Sequence, residues 1–353
     1  MNIHPDRPAP GQTLLRLVNG TVTSGARRGL SAFAPQDGIL LAYQGIVAGL
    51  AWGRGAPEAR MAACAMAAMV LGCLAGRCAT LPGGVRAATY RLTLFGALVV
   101  NYVMLRDLLP VLRPDSVDAA LLAIDVAALG APPALWLERY NHVLAVEWFS
   151  FFYLSYFGLC AGYMLVVLWL VRPGRHTTEF VIGSVIVYCV GQLGYIAVPA
   201  YGPVRHLAPE FAGPVQGGLF WGWIQATVAS CGALKDVFPS VHTAASVWFA
   251  IFAWRQASRD RRWTWPARAT AFAAANIVIS TLFLRWHYAV DVVAGLALAA
   301  LADALSRRLS RLDEESRARA GGNCLGGGAS RRTRRRVGVD SAGEMGQKPP
   351  PFQ

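Results

Sequence analysis

Charge is the scarce commodity in this chain. Asp, Glu, Lys and Arg make up 15% of its 353 residues, where a soluble protein carries roughly a quarter. Acidic residues are scarcer than basic ones, 20 against 33, which leaves a net charge of +13. So little charge cannot cover the surface of a soluble protein this long, and 55% hydrophobic residues exclude disorder for the bulk of the chain. The seven cysteines form no CxxC pair. That argues against a thiolate metal site and against a disulfide scaffold. The first twenty residues contain no apolar core of the kind a cleaved signal peptide needs, so the first apolar run reads as a retained span.

What is present in abundance is uncharged sequence. The runs are Gly38–Gly53, Met61–Gly76, Leu92–Leu105, Trp148–Val171, Phe180–Val204, Val237–Trp254, Ala269–Leu284 and Tyr288–Leu305, the last tolerating Asp291 and Asp303. A membrane helix needs about 20 residues, and these runs reach that length with their flanks. The expectation is an all-α polytopic membrane bundle of about eight transmembrane helices. Charge then orients it, because Lys and Arg collect in cytoplasmic loops. Five Arg stand in Arg255–Arg268, and 11 of the 33 basic residues follow Ser306. Both segments read as cytoplasmic. Six acids stand against three Arg in Arg106–Glu147, which reads as outer. Both termini fall inside, and only the short Arg54–Arg60 loop disagrees.

The expected organisation is a cytoplasmic N-terminal segment at 1–37, two accessory helices within 38–89, a main membrane domain at 90–305, and a basic disordered cytoplasmic tail at 306–353. The outer segment 106–147 is too long for a bare loop, and Asp118–Asp125 and Pro133–Arg139 read as short amphipathic helices at the interface. Phe211–Leu234 is also uncharged, but its six Gly and Pro residues with Trp221 and Trp223 fit an interfacial or re-entrant segment better than a span. The tail run Arg331–Arg336 is read as contacting anionic lipid rather than nucleic acid.

Two histidines stand where chemistry is expected, both at outer helix starts. His287 and Asp291 are four apart, which puts them on one helical face. The carboxylate can take the N–H of one ring nitrogen and leave the other as an oriented base or nucleophile. Asp291 lies about 6 Å further along the helix, where an unpaired carboxylate is costly and is a functional candidate by default. His242 follows Pro239 and Ser240. Pro suits a first helical turn and Ser240 can cap it. The free N–H groups of such an end bind phosphate oxygens, and His242 would stand over them as a proton donor. Lys235, Arg205 and Arg285 share the outer layer and could neutralise phosphate. A metal bound by His242, His287 and Asp291 is open by ligand type, but the flanking cations suit an anionic substrate better. A proton relay in a transporter is the non-enzymatic alternative; no internal repeat supports it.

The segments Phe238-Pro-Ser-Val-His242 and His287-Tyr-Ala-Val-Asp291 resemble the second and third motifs of the type 2 phosphatidic acid phosphatase superfamily. The branch most resembled is the inositol phosphorylceramide synthase-like, or inositolphosphotransferase, branch. Pro199-Ala-Tyr-Gly-Pro203 matches the element preceding its second motif, and Asp118–Asp125 is similar to its DxxLxxID segment. The likeness covers roughly residues 90–305. It departs at the first motif, which is absent as such; Arg205 is the nearest stand-in. The arginine that precedes the third motif is also missing, with Ser280-Thr281 in its place and Arg285 nearby. Val241 replaces a glycine. The resemblance implies a metal-independent, cofactor-free lipid phosphotransferase of the plasma membrane, with its site on the extracytoplasmic side. It implies His287 as nucleophile, Asp291 as its orienter and His242 as general acid; Ser240, Arg205, Lys235 and Arg285 are the phosphate-binding candidates by their shared outer position. The implied partners are a membrane lipid substrate and an alcohol acceptor. A lipid phosphate hydrolase is the alternative.

Overall fold

A computed structural model describes residues 33–78, 83–167 and 174–319. Among them the secondary structure is helical, with a single isolated parallel bridge between Ala200 and Asp236. The long helices are α1 (Pro35–Arg54), α2 (Pro57–Cys78) and α3 (Gly83–Leu112). Two short helices follow, α4 (Asp118–Leu129) and α5 (Pro133–Leu137). Then come α6 (Val143–Leu165), α7 (Arg175–Ala197), the single turn α8 (Pro203–His206) and α9 (Leu219–Cys231). The chain closes with α10 (Val241–Ala257), α11 (Thr264–Phe283) and α12 (Ala289–Arg319).

Among the described residues each uncharged run lies largely on a long helix, although Phe180–Val204 runs past the end of α7 and Val237–Trp254 begins before α10. Five of the helices, α3, α6, α7, α11 and α12, are long and apolar enough to cross a membrane. The bent pair α4 and α5 would add a sixth if it counts as one broken span. Helix α10 has 17 residues, just under the ~20 a lipid-spanning helix needs. It is instead the centre of the bundle, packed against α6, α7, α11 and α12, with Trp248, Phe249 and Phe252 almost fully buried. A helix surrounded by protein need not present an apolar coat to lipid.

The first two helices are fastened, not merely stacked. Helix α1 opens with Pro35 in its first turn and ends at Gly55, whose φ of 76° is the left-handed cap that glycine adopts without penalty. Its polar side chains face inward: Gln44 donates to Asn101 on α3 at 2.8 Å, and the Tyr43 hydroxyl donates to Gln192 on α7 at 2.8 Å. Buried polar groups need such partners, and here the partners fix the rotation of α1 against the main domain.

The 106–147 segment forms the two short helices expected of it, and Phe211–Leu234 contains only the 13-residue α9, lying against α6. The last helix does not stop at Leu305 but continues to Arg319, with Arg317 paired to Asp313 at 2.9 Å. The start of the expected tail is therefore helical. Residues 320–353, including Arg331–Arg336, lie outside the described residues, as do residues 1–32.

Candidate active site

Both histidine motifs sit where a loop enters a helix at one end of the bundle. Ser240 is the N-cap of α10, its Oγ accepting from Thr243 N at 3.3 Å. Its own N–H donates to the Asp291 carbonyl at 3.0 Å. Helix α12 can come that close because residue 295 is glycine: a Cβ there would lie 2.6 Å from the Ser240 carbonyl oxygen. This crossing brings His242 and His287 together, with ring centroids 6.4 Å apart.

His287 Nδ1 lies 3.5 Å from Asp291 Oδ2, with both side chains buried. The contact is in ion-pair range but is not aligned as a hydrogen bond, and catalytic hydrogen bonds are often long before substrate is bound. Asp291 is fixed from the other side, where Oδ2 accepts from Tyr288 N at 2.8 Å. With Nδ1 turned to the carboxylate, Nε2 of His287 is left for the cavity that the ring lines. His242 is held by stacking: Tyr153 and Tyr156 flank its ring at centroid distances of 4.4 and 4.2 Å. Its Nε2 is buried without a hydrogen-bond partner among the described residues. A buried imidazole nitrogen with no partner is a group waiting for one.

The cavity between these two histidines has a volume of about 170 Å³. Arg205 is the one cation in its wall, and its guanidinium also lies over the Tyr201 ring at 5.4 Å. The other three phosphate-binding candidates do not line it, although Lys235 Nζ lies over the same Tyr201 ring at 5.1 Å. Lys235 is buried, and its Nζ donates to the carbonyls of Arg113, Pro114 and Asp115 at 2.8, 2.7 and 3.2 Å. It closes the C-terminal end of α3, where a cation satisfies otherwise orphaned carbonyls. Arg285 reaches Glu138 at 3.1 Å and the Gly213 carbonyl at 2.9 Å, with its guanidinium 3.7 Å from the Phe211 ring centre. Burial pulls the Arg285 guanidinium below its ordinary pKa, and the Glu138 carboxylate opposes that pull. It pins the outer loops together. Ser240 is fully buried as the helix cap and does not line the cavity. The structure thus brings together His242, His287, Asp291 and Arg205, and uses Lys235, Arg285 and Ser240 to hold the frame.

Several residues around the site were given no role by sequence, although Asp118 and Asp125 bound a segment noted there for its likeness to the family. Asp118 accepts from Tyr201 N and Gly202 N, both at 2.8 Å, and from the Tyr288 hydroxyl at 3.1 Å. Asp125 accepts from Ala289 N at 2.7 Å and Val290 N at 3.0 Å. One carboxylate therefore holds the Gly-Pro loop that carries Arg205. The other caps α12, the helix that carries Asp291. Two acids seven apart in an otherwise apolar short helix were the available signal, since that spacing is two turns on one face. Asp236 also lines the cavity, its Oδ2 accepting from the Tyr102 hydroxyl at 2.7 Å. No group of three or more His, Cys, Asp or Glu among the described residues is arranged to hold a metal ion.

The comparisons agree with this geometry. No curated protein and no solved structure matches the chain. A family model described as the PAP2 superfamily matches residues 119–305, a stretch that begins beside Asp118, ends on α12 and contains both histidine motifs. The match spans just over half of the chain, and the protein belongs to the PAP2 superfamily.

Proposed function

We propose that the protein is a membrane lipid phosphotransferase that works through a phosphohistidine on His287. The observation that carries this reading is the convergence of His242 and His287 on one cavity with Arg205 in its wall, and with Asp291 buried behind His287 at 3.5 Å. His287 Nε2 attacks phosphorus while Asp291 holds the ring and stabilises its positive charge. Arg205 takes the charge of the phosphoryl oxygens. His242 gives a proton to the departing alcohol oxygen, then takes one back from the group that attacks the phosphoenzyme. None of these roles uses a metal.

Family membership supports an enzyme of the phosphatase or phosphotransferase kind. Transfer to an alcohol is the reading that follows from the likeness of Asp118–Asp125 and Pro199–Pro203 to the inositolphosphotransferase branch. Hydrolysis is the second reading, and differs only in whether water or an alcohol reaches the phosphoenzyme. The site lies at the end of α10 opposite the Arg-rich Arg255–Arg268 segment. By the bias of Lys and Arg toward the cytoplasm, that supports action at the outer face of the plasma membrane. The tail beyond Arg319, rich in Arg, is assigned to anionic lipid on the inner face.

The test uses purified protein in detergent with labelled lipid phosphates and excess chelator. The expected result is turnover that survives chelation, an acid-labile covalent phosphate on the wild type, and loss of both in His287→Ala. Turnover abolished by chelation would point to a metal. Turnover retained in the variant, or absence of the adduct, would overturn the phosphohistidine reading and return weight to a proton-relay transporter.

A further inference from the structure

A second cavity, of about 200 Å³, meets the first at His242. It is larger than the ~150 Å³ apolar cavity that suffices for a benzene ring. Its walls come from α3, α6 and α7 and include Phe95, Leu98, Val99, Phe157 and Ala161. The two cavities share three residues, Tyr102, Asp236 and His242. Val99 and Phe157 are each 46% exposed on the outside of the bundle, and α3 and α6 are not packed closely against one another. The chamber therefore reaches the lipid-facing surface between these two helices.

We propose that this chamber is the alcohol site of the enzyme, and that it serves twice. It holds first the lipid alcohol that leaves and then an apolar alcohol that accepts. The proposal rests on the phosphohistidine reading above. In the first displacement a bond forms from His287 Nε2 to phosphorus, the bond from phosphorus to the alcohol oxygen breaks, and the proton of His242 goes to that oxygen. In the second, an alcohol oxygen bonds to phosphorus, the phosphorus–nitrogen bond breaks, and the alcohol's proton returns to His242. Entering and leaving groups stand roughly in line at phosphorus. The acceptor must then come in from the position the first alcohol vacated, opposite His287 and beside His242. One acid–base residue at the mouth of one apolar chamber meets that requirement for both halves.

Asp236 sits at the same mouth. Tyr102 donates to its Oδ2 at 2.7 Å, and among the described residues no Lys or Arg lies within ion-pair distance of it. A carboxylate at that position repels phosphate oxygens and accepts a hydroxyl, so Asp236 is a positioning residue for the alcohol O–H. The apolar walls select a lipid alcohol over water for the rest of the molecule.

The experiment supplies dioctanoyl phosphatidic acid or dioctanoyl phosphatidylinositol as donor, with labelled dioctanoylglycerol and no other acceptor. If the leaving alcohol and the acceptor share a chamber, label appears in the donor lipid. The partition of label exchange against water-soluble phosphate product reads the fate of the phosphoenzyme, however fast it formed. Ala161→Trp fills the chamber from an exposed position and is expected to lower that partition at least tenfold. Asp236→Asn, which keeps the shape, is expected to lower it about fivefold. A phosphoenzyme that forms and hydrolyses with no exchange would overturn the chamber while leaving the nucleophile intact. An unchanged partition in Ala161→Trp would do the same. Failure to form the adduct would instead strike the phosphohistidine reading. A diazirine-bearing hexadecanol tests the site without turnover. Crosslinks to peptides containing Leu98 or Phe157, competed by dioctanoylglycerol and lost in Ala161→Trp, are expected; labelling spread over the lipid-facing helices would overturn the assignment.

Discussion

The two ends of the bundle treat their carboxylates differently. At the end away from the site, acids are paired with guanidinium groups. Glu179 on α7 is 1% exposed and meets Arg255 on α10 at 2.6 Å, while Arg255 also reaches Asp303 on α12. Arg175 and Arg307 add contacts at 3.3 and 2.9 Å. At the site end Glu138 is also paired, with Arg285 at 3.1 Å, but Asp118, Asp125, Asp236 and Asp291 have no Lys or Arg within ion-pair distance among the described residues. Backbone N–H groups, phenols and His287 hold them instead. Opposite charges that neutralise one another make a staple between helices. Carboxylates held by N–H groups and phenols occupy no Lys or Arg, and the cavity's single cation, Arg205, stays available for an anion from outside. Carboxylates thus staple helices through guanidinium groups at one end, and are held by N–H groups and phenols around the cavity at the other.

The hardest way to break this contrast is at His287. His287→Ala should lower phosphate release by about 10³-fold or more, the scale lost with a covalent nucleophile. The helical signal in circular dichroism should be unchanged, because the ring lines a cavity and bridges no helices. A variant that unfolds would place His287 with the staples.

The complementary break is Arg255→Met. Removing one partner of a buried pair costs about 3 kcal/mol; here Arg175, 3.3 Å from Glu179, offsets part of the charge, so the loss falls below that figure. Unfolding in detergent should show that loss, while turnover per folded molecule stays near the wild type. Glu179→Gln combined with Arg255→Met should recover part of the stability. A loss of turnover at full stability would mean that the two ends are not separate in function.

Asp125→Ala probes the boundary between the two kinds of work. It strips the cap from Ala289 N and Val290 N. A lost cap costs about 1 kcal/mol, and the shift in α12 should lower kcat about tenfold, as outer-shell changes commonly do. Asp125→Asn should restore much of the stability and less of the rate.

How far the sequence reached follows the same division. Helical runs were legible because lipid and core both demand long apolar stretches, and each run fell largely on a long helix. His242, His287 and Asp291 were legible as a set, though for reasons the fold amends: His287 lies in the loop two residues before α12 rather than on its face, and Pro239 precedes the Ser240 cap rather than standing in the first turn. The phosphate-binding set was less legible. Lys235, Arg205 and Arg285 look alike as cations in one layer, and only the fold shows that carbonyls hold Lys235 and that Glu138 holds Arg285. Asp236 went unremarked because no spacing or motif marked it beside Lys235. In the fold the two side chains part, toward different partners. The continuation of α12 to Arg319 was missed because charged residues after Ser306 read as tail, although Asp303–Arg307 and Asp313–Arg317 pairs support a helix at four-residue spacing.

The finest cut lies among the three cations themselves. Arg205→Ala should raise KM for a lipid phosphate about tenfold, the ~1.4 kcal/mol expected of one charge-assisted contact on an exposed side chain, and should leave the melting temperature alone. Lys235→Met should do the reverse. Three backbone carbonyls lose a shared donor, so stability falls, while KM of the folded protein stays within about twofold; carbonyls at a helix end can turn to water, which keeps the loss near 1–2 kcal/mol. Arg205→Lys separates charge from shape. A point charge at the same place should recover most of the affinity if Arg205 acts through its charge, and little if the two-pronged geometry of guanidinium on phosphate matters. Equal KM effects from Arg205 and Lys235 would mean that Lys235 leaves its carbonyls when substrate binds, and the contrast between frame and site would have to be redrawn around a cation that serves both.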